Sequence, residues 1–559
     1  MRARRLFRIA RIGLLRPDRL IMAESLRASL PTLVRFLKSR TVRAKLRTLV
    51  RTARRTRRSA VAIGLTPPGL GAFFVLALVL WGLSEPLVSD HERVLGDDTS
   101  KANAWVTVRY ARDILFIQCE LAAIAIAFGA VLGWIAGGLV QAASWATGRG
   151  NVSRLGLALW SLGLIVLLQG GLGAWSMAHD PQFYADAWYA RGGAWRAIQE
   201  TISDRLGPAK IAVVAGLLVV AYLCGVVACA RRRCANVQLT NREVATRSRI
   251  AAVPFLLAAV LLVVELPLCH ATRCGDAHAR HFDRTGRHPN LLILAADSLR
   301  NDHVDAVLTP HLAEVAARGT RFTRAYVSQA RTFPSWTTIL TGLYPHHHSI
   351  RNDFPRWEER TRSFDTIASR FARAGYATHV VSDYGGDIFN LVDFGFEDVR
   401  APRVDFRQYI RLKGLERARA LLPILHTRFG RAIEPAMWEA PRGASADLVA
   451  DDAIAALGAD DARPFFMVIF FSAPHYPYAS PAPYFRRFAV RDYEGLYKYY
   501  KPVWYADSDP DPLDVAQIRG LYKGAVASVD DAAGRILREL SARGEDEHTI
   551  VAVLSDHGE

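Results

Sequence analysis

One short segment, residues 331–342 with the sequence RTFPSWTTILTG, has the residue types of a catalytic turn. Thr332 precedes a helix-like run that ends at Gly342. A hydroxyl in the first turn of a helix lies near the positive end of the helix dipole, where anions bind. Once activated, such a hydroxyl can attack an ester and form a covalent intermediate. The alternative is that Thr332 only caps the helix, which is a common role of threonine at that position.

Metal-type side chains follow two apolar segments that lie far apart in the chain. Asp297 follows NLLILAA, and Asp556 and His557 follow TIVAVLS. Two carboxylates and one imidazole suit zinc or manganese better than an all-oxygen calcium or magnesium site. A divalent metal there would neutralise an anionic ester and lower the pKa of a coordinated hydroxyl. We therefore predict one divalent metal held by Asp297, Thr332, Asp556 and His557. Binding of a second metal at this site stays open as an alternative.

The segments that must position these residues alternate between strand and helix patterns. Strand patterns end at Asp297, at Asp383, just before 472–475 and at Asp556, with helical patterns between them. This alternation predicts an α/β domain with a mostly parallel sheet covered by helices on both faces. Because ligands bind at the carboxyl ends of parallel strands, we expect Asp383 and His475 at the same rim as the metal residues.

Other parts of this domain have weaker patterns. The alternation of RFTRAYV at 321–327 predicts one more strand, and residues 512–543 predict a long helix. Residues 400–443 and 478–511 are rich in aromatics and arginine, and we interpret them as loops or insertions.

Five apolar runs occur before this domain. A helix needs about 20 apolar residues to cross a bilayer, and the runs predict a five-helix transmembrane region within residues 61–270. They lie at 59–84, 114–148, 155–178, 211–230 and 250–269. Among their residues only Glu120 and Glu265 are charged. So little intramembrane polarity argues against a transporter.

Positive charge predicts how these helices are oriented. The net charge is +18, and residues 1–60 alone contain 19 Lys/Arg and two acids. The positive-inside rule places this segment in the cytoplasm, on an anionic membrane surface, with a disordered tail as the alternative. Nothing in it resembles a nucleic-acid recognition fold. Five spans then place a linker, 271–288, and a catalytic domain, 289–559, on the extracytoplasmic side of a plasma or inner membrane.

The motifs of residues 288–559 resemble the sulfatase-like branch of the alkaline phosphatase superfamily. NLLILAADSLRNDHV resembles its metal-aspartate strand, TFPSWTTILTGLYPHHHSI its nucleophile turn, FFSAPHYPY its Pro-His-x-Pro segment and TIVAVLSDHGE its closing metal motif. The resemblance implies that Thr332 is the nucleophile and that His475 contacts the oxyanion or the leaving group of the ester. It also implies substrate contacts for His348 and Asp383, with a loop-stabilising role as the alternative for His348.

The sequence departs from true sulfatases at the nucleophile. Those enzymes place cysteine or serine there and oxidise it to formylglycine, whereas threonine cannot give that aldehyde, and residues 275–559 contain no cysteine. Trp336 replaces a maturation arginine, and Asp383 and Gly385 replace a lysine and a histidine that contact sulfate. A threonine nucleophile is typical of phospho-ester relatives such as phosphoethanolamine transferases and lipoteichoic acid synthases, which also carry five spans before an external catalytic domain.

The sequence therefore predicts a membrane-anchored, metal-dependent hydrolase or phosphotransferase that acts on phosphate esters or diesters through Thr332. Its expected partners are membrane lipids and a phosphate- or sulfate-ester substrate, such as a lipid headgroup or an envelope polymer, and not nucleic acid. Two alternatives stay open: a sulfuric ester hydrolase, and a catalytically inactive membrane scaffold or receptor. Because relatives continue beyond the closing metal motif, we expect the domain to be incomplete at its carboxyl end.

Overall fold

The structure is a computed structural model of the chain. It describes residues 66–84, 107–145, 153–233, 288–353, 356–360, 363–403, 406–436, 441–458, 463–501 and 510–559. The predicted basic segment 1–60, the apolar run 250–269 and nearly all of the predicted linker lie outside the described residues.

The amino-terminal part is helical. Its helices are α1, Pro67–Leu83; α2, Ala111–Trp145; α3, Arg154–His179; α4, Gly193–Glu200; and α5, Gly207–Arg233. A π-helical turn at Thr201–Leu206 joins α4 to α5, and a 3₁₀ turn, Pro181–Phe183, follows α3. The segment between the third and fourth predicted runs, residues 179–210, is therefore largely helical.

Three helical stretches of the described residues are long and apolar enough to cross a membrane, whereas we predicted four spans in this part of the chain and a fifth at 250–269, outside the described residues. The three stretches are Ala111–Trp145, Arg154–His179 and Gly193–Cys229. The first predicted run forms α1, which has 17 residues. Thr66 caps α1 and prolines occupy its first two positions. Because proline fits the first turn of a helix but not its interior, the prolines set a late start and a short helix.

The second half of the chain is built on a parallel sheet, as predicted. Its strands are β1, Asn290–Ala296; β2, Ala377–Ser382; β3, Asp398–Arg400; β4, Phe465–Phe471; and β5, Thr549–Ser555. They lie in the order β3-β2-β4-β1-β5, and every pair is parallel. Strand β3 was not predicted, because three residues are too few for a periodic pattern.

Helices surround this sheet. They are α6, Pro310–Arg318; α7, Thr332–Thr341; α8, Pro345–His348; α9, Trp357–Arg360; α10, Ile367–Arg373; α11, Ile388–Leu391; α12, Phe406–Arg417; α13, Leu422–Leu425; α14, Arg428–Ile433; α15, Ala446–Leu457; α16, Tyr484–Arg487; and α17, Pro512–Ala542. Short 3₁₀ turns occur at Asn301–His303, Tyr384–Asp387, Pro441–Gly443 and Asp546–His548. The predicted long helix near residue 512 is confirmed as α17.

Both faces of the sheet are covered, which explains why the central strand FFMVIFF is apolar throughout. Side chains of β4 alternate between two cores, and all seven are buried. Phe465 and Met467 pack in the core that includes α15 and α17. Phe466 and Val468 pack in the core that includes α7 and α10.

Two of the weaker patterns were misread. Residues 321–327 form no strand, and Phe322 and Tyr326 are 78% and 86% exposed. No strand of the described chain pairs with this segment, so a strand-like pattern alone did not place it in a sheet. Residues 400–443, expected to be irregular, contain helices α12 to α14. Their apolar side chains pack in one core with those of α1, α2 and α3, a burial that composition alone does not indicate.

Candidate active site

Strand register brings the metal-type residues together. Ala296, the last residue of β1, pairs with Ser555 of β5 on one side and with Phe471 of β4 on the other. The next residues along these strands, Asp297 and Asp556, therefore leave the sheet side by side. Asp297 N also donates to Phe471 O at 2.8 Å, which extends the ladder to the start of the site.

The ring of His557 is held with one nitrogen towards three oxygens. Its Nδ1 lies 2.8 Å from the carbonyl of Gly558, so Nδ1 carries the proton and Nε2 presents a lone pair. From Nε2 it is 3.3 Å to Thr332 Oγ1, 3.5 Å to Asp297 Oδ1 and 3.7 Å to Asp556 Oδ2. A backbone carbonyl that fixes the tautomer in this way is a common partner of metal-binding histidines.

Thr332 does not cap its helix. It is the first residue of α7, and the N-cap residue, Arg331, makes no capping hydrogen bond with its side chain. The Thr332 hydroxyl is instead directed at His557, where it can donate to Nε2. The helix ends as the sequence predicts, at Gly342 in the left-handed region with φ 69°.

Two further bonds hold α7 against the rim of the sheet. Ser335 Oγ donates to the carbonyl of Asp556 at 2.5 Å, and the backbone N–H of Phe333 donates to Asp353 at 3.2 Å. The first bond ties the helix that carries Thr332 directly to the segment that carries Asp556 and His557. The distance between the hydroxyl and the metal-type residues is therefore fixed by local contacts as well as by the fold.

The two carboxylates are buried, with exposures of 2% for Asp297 and 0% for Asp556. Burial raises the pKa of Asp297 well above its usual range, and the neighbouring Asp556 raises it further. Burial also raises the pKa of Asp556. Two buried acids so close together resist ionisation unless a cation offsets their charge.

This donor set fits a divalent metal. Ligand atoms of Asp297, Asp556 and His557 all lie within 4.8 Å of one another. The Oδ2 atom of Asp556 is buried and has no hydrogen-bond partner. An orphaned carboxylate oxygen beside an imidazole lone pair is the pattern expected where a cation binds.

Ser298 cross-links the two carboxylate segments. Its backbone N–H donates to Asp556 Oδ1 at 3.2 Å, and its hydroxyl donates to Asp297 Oδ1 at 3.2 Å. Its φ is 58°, in the left-handed region that is unfavourable for a serine. A backbone held in that region beside a site is maintained by the contacts around it.

His475 lies next to this group. Its Nδ1 is 2.9 Å from the carbonyl of Tyr476 and 3.3 Å from the hydroxyl of Tyr384. Its ring centroid is 6.4 Å from that of His557. With Nδ1 donating to the carbonyl, Nε2 is the nitrogen left to exchange a proton with a substrate, since no partner is found for it in the described chain.

Asp383 lies at the same rim, after β2, and its Oδ1 accepts the backbone N–H of Ser472 at 3.0 Å. Its Oδ2 is buried without a partner, and burial raises its pKa to about 6. The neighbouring Gly385 approaches the site closely. A Cβ at residue 385 would lie 2.5 Å from Ser472 Oγ and 3.2 Å from Asp297 Oδ2.

His348 is placed apart from the other predicted residues. It is 1% exposed, its Nδ1 accepts the N–H of Ile350 at 3.1 Å, and its Nε2 lies 3.1 Å from the hydroxyl of Thr338. Burial lowers its pKa to about 4, with His346 as a smaller cause. Both ring nitrogens thus lie within hydrogen-bonding distance of groups in α7 and in the loop that follows it. The substrate contact of His348 stays a prediction.

A second acidic group, formed by His311, Asp530 and Asp531, also brings potential ligand atoms within 4.8 Å of one another. The two oxygens of Asp530 accept the backbone N–H groups of His311 and Leu312 at the start of α6. These bonds satisfy the carboxylate, so the group is explained as a helix cap.

Residues 289–559, which contain every group described above, match the Sulfatase family model. We call this part of the chain the sulfatase domain, after the family that its sequence matches. Its parallel sheet, with helices on both faces, is the α/β fold that the sequence resemblance implied. The sulfatase family is metal-dependent, in agreement with the donor set of Asp297, Asp556 and His557.

Curated relatives of the sulfatase domain include enzymes with different names. A multifunctional alkaline phosphatase superfamily protein of Trinickia caryophylli is 23% identical over 325 residues, covering 48% of this chain and 63% of its own length. An arylsulfatase of Clostridium perfringens is 25% identical over 312 residues, with the same two coverages. Human N-acetylglucosamine-6-sulfatase is 25% identical over 299 residues, covering 49% of this chain and 51% of its own length.

Among solved structures, the phosphonate monoester hydrolase of Agrobacterium radiobacter is 25% identical. The match covers 49% of this chain and 63% of that chain, with a TM-score of 0.38. The chain thus spans less than two thirds of the length of each of these relatives.

Sequence reasoning missed three contributors to the sulfatase-domain site. Ser335 lies within the quoted motif, but nothing in its type indicates a bond to the carbonyl of Asp556. Tyr384 follows Asp383 directly, yet its bond to His475 depends on how two loops meet. Ser298 could not be predicted, because its role depends on a left-handed backbone. Glycine is the usual signal for that conformation, and this position has serine instead.

Proposed function

We propose that this chain is a membrane-anchored, metal-dependent phosphate-ester hydrolase or phosphotransferase that uses Thr332 as its nucleophile. The observation that carries the proposal is the 3.3 Å distance from Thr332 Oγ1 to Nε2 of His557, within the acid–imidazole group. A threonine there can form a phosphate ester, whereas it cannot be oxidised to the aldehyde that a sulfatase of the formylglycine type uses.

Asp297, Asp556 and His557 would hold the metal, and Thr332 would join them as the fourth ligand. Zinc or manganese suits this mixture of two carboxylates and one imidazole better than calcium or magnesium. When bound, a divalent ion would neutralise the anionic ester and lower the pKa of the Thr332 hydroxyl.

The residues of the chain account for the remaining steps. Thr332 Oγ1, which has given its proton to solvent water, forms a bond to phosphorus while the bond from phosphorus to the leaving oxygen breaks. His475, protonated at Nε2, gives that proton to the leaving oxygen. Water or an acceptor alcohol then attacks the Thr332 phosphate ester and gives its proton to His475, while the bond from phosphorus to Thr332 Oγ1 breaks and releases the residue. Hydrolysis and transfer differ only in which acceptor enters at this point.

The position of the sulfatase domain supports an extracytoplasmic site. Two of its contacts lie at the same end of the helix bundle: Ala482 N donates to His179 O at 2.8 Å, and Arg442 pairs with Asp186 at 2.8 Å. The opposite end carries the RRR of residues 231–233 and follows the basic segment 1–60. By the positive-inside rule, that basic end is cytoplasmic. Anchored in this way, the site would meet lipid headgroups or envelope polymers.

Hydrolysis of sulfate esters is the second candidate, because relatives named arylsulfatase and N-acetylglucosamine-6-sulfatase align with the same domain. Thr332 argues against it, since those enzymes would need an aldehyde at this position. The third possibility, an inactive scaffold, is disfavoured by the retained group of Asp297, Asp556 and His557.

The test uses the full chain in lipid nanodiscs, stripped of metal and then supplied with zinc or manganese. Aryl phosphodiester, aryl phosphonate and aryl sulfate reporters are compared at equal concentration. We expect metal-dependent release of the aryl group from a phosphorus ester and little from the sulfate. Turnover of the sulfate alone would replace our proposal with the second candidate, and turnover of none would favour the scaffold.

A further inference from the structure

Residues 406–436 of the sulfatase domain, which we call the insertion, contact α2 and α3 below the outer ends of these two helices. Gln169 of α3 donates to the carbonyl of Ala420 at 2.8 Å. Arg411 donates to Glu120 of α2 at 2.8 Å and also pairs with Glu434 of the insertion itself. Glu120 is the charge that interrupts the second apolar run, and it is therefore matched by a charge from the insertion.

The length of α3 fixes how deep this contact lies. At about 1.5 Å per residue, the 26 residues of α3 measure about 39 Å, against about 30 Å of hydrocarbon. Gln169 is about 15 Å from the outer end of the helix at His179. Because α3 is about 9 Å longer than the hydrocarbon is thick, at most about 9 Å of the helix can extend beyond the hydrocarbon on the outer side. Gln169 therefore lies at least about 6 Å inside the hydrocarbon.

A second contact lies at a similar distance from the end of its helix. Glu120 lies about 14 Å from the outer end of α2 at Ala111, close to the distance of about 15 Å between Gln169 and the outer end of α3. Leu115 and Phe116, which precede Glu120, are 61% and 69% exposed on the outside of the helix. Large apolar side chains exposed at that height indicate contact with lipid and not with water.

The insertion has the composition expected at this depth. Leu415, Ala418, Leu421 and Leu422 are fully buried against the helices, with 0% exposure. Non-helical backbone is tolerated at membrane depth only where protein groups satisfy it, and the bond from Gln169 to the carbonyl of Ala420 does so.

The outer surface of the insertion is apolar at several points. Tyr409, Phe429 and Ile433 are each about half exposed, at 47%, 50% and 49%. Arg407 is also exposed and pairs with Asp113 near the outer end of α2. Such a surface fits the outer leaflet of a membrane: the apolar side chains can contact acyl chains, and the cation can contact the phosphate groups.

We propose that the insertion is a re-entrant element of the outer leaflet: the catalytic domain dips back into the bilayer beside its own anchor and binds phospholipid through Tyr409, Phe429 and Ile433. Arg411 holds it there, between Glu120 and Glu434. The inference rests on the membrane anchoring proposed above but not on the reaction.

The insertion also connects the membrane to the sheet. Arg431 of α14 forms an ion pair with Asp452 of α15, which packs on β2 and β4. A segment fixed both in the leaflet and to the sheet would set the height of the active site above the lipid surface.

The experiment uses the wild-type full chain in nanodiscs that contain phosphatidylcholine with a photoreactive diazirine in its acyl chain. After illumination, lipid adducts are mapped on peptides by mass spectrometry. We expect adducts on peptides from 406–436 as well as on α2 and α3, and none on the exposed segment around Val307, which is 82% exposed on the same domain. Adducts on α2 and α3 without any on 406–436 would overturn the inference, and adducts on none of them would overturn the anchoring itself.

A pair of variants tests the role of Arg411. Arg411→Gln should reduce the adducts on 406–436 at least several-fold relative to those on α3. Arg318→Gln removes an arginine of α6, outside the insertion, whose side chain is 77% exposed, and should leave the ratio within twofold of wild type. Equal ratios in the two variants would show that Arg411 does not hold the insertion.

Discussion

Thr332 Oγ1 lies 3.3 Å from Nε2 of His557, although 225 residues separate them in the chain. The register of β5 beside β1 places His557, and the bond from Ser335 to Asp556 places the helix that begins at Thr332. Neither residue has a reason to face the other in a domain that only needs to fold. A hydroxyl and an imidazole lone pair that converge beside two buried acids are an arrangement for chemistry.

Metal binding is the first property to test, with Asp297→Asn. Because burial and Asp556 already disfavour the charged form of Asp297, its replacement should leave the unfolding midpoint of the metal-free protein unchanged or higher. Added zinc or manganese should stabilise the wild type by about 2.7 kcal/mol at 100 times its Kd, and the variant by much less. Thermal unfolding with and without metal measures both effects.

The control for that measurement is Asp302→Asn, which removes a nearby aspartate whose side chain is 59% exposed and paired with Arg300. This variant should keep the stabilisation by metal. An Asp297→Asn protein that is stabilised by metal as strongly as the wild type would remove Asp297 from the ligand set.

His475→Gln tests proton transfer to the leaving group. The variant should lose about 10² to 10⁴ in kcat on phosphate diesters with alkyl leaving groups, which need a proton. It should lose far less on 4-nitrophenyl esters, whose leaving group is stable as an anion. The comparison of kcat between the two substrates is the measurement. An equal loss on both would indicate that His475 binds the substrate and does not donate a proton.

Gly385→Ala should disturb the site by steric overlap. The added methyl would lie 2.5 Å from Ser472 Oγ and 3.2 Å from Asp297 Oδ2. We therefore expect the free energy of unfolding to fall by about 1 to 3 kcal/mol and metal binding to weaken. The double variant Gly385→Ala/Ser472→Ala removes the hydroxyl that causes the closest contact. It should recover part of the stability, and a double variant no better than the single one would place the strain elsewhere.

His348 predicts a pH effect on stability. Its pKa falls to about 4 in the folded state, from about 6.5 in an unfolded chain. Between these values the unfolded chain binds a proton that the folded one does not, so stability is present above pH 6.5 and is lost as the pH falls towards 4. Since one pKa unit corresponds to about 1.4 kcal/mol, we expect the free energy of unfolding to fall by about 1 to 2 kcal/mol by pH 5.

The matched variants for this effect are His348→Asn and His347→Asn. Asparagine at 348 can still accept from Ile350 N but cannot be protonated, so the loss between pH 6.5 and 4 should shrink. The exposed His347 is the control and should keep the wild-type dependence. Unfolding midpoints at pH 7 and pH 5 measure the difference, and identical slopes in the two variants would contradict the assignment.

The central strands and the metal-type group could be predicted from the sequence because their signals are local. NLLILAA and TIVAVLS are apolar runs of strand length, each followed directly by an acid. The helix that starts at Thr332 and stops at Gly342 was equally visible. Parallel strands bring their carboxyl ends to one edge, and Asp297 and Asp556 meet there because β1 and β5 are neighbours in the sheet.

Other features depend on long-range packing, which single-chain patterns do not carry. RFTRAYV has a strand-like pattern, but it forms no strand and no described strand pairs with it. The insertion was taken for loops because its arginines and acids hide a helical pattern. Its placement depends on partners far away in the chain, such as Glu120, 291 residues from Arg411. The prolines at the start of α1 did carry a signal, and counting them would have shortened the first predicted span.

Substitution of Thr332 tests the central claim most directly. Full-length wild type, Thr332→Ser and Thr332→Ala are incubated in nanodiscs with metal and a phosphorus ester, and the peptide around residue 332 is analysed by mass spectrometry. We predict a phosphoryl adduct on residue 332 in the wild type and in Thr332→Ser. We also predict that Thr332→Ala loses activity by on the order of 10³-fold or more, with its metal-dependent stabilisation reduced but present. Wild-type turnover in Thr332→Ala would contradict the account.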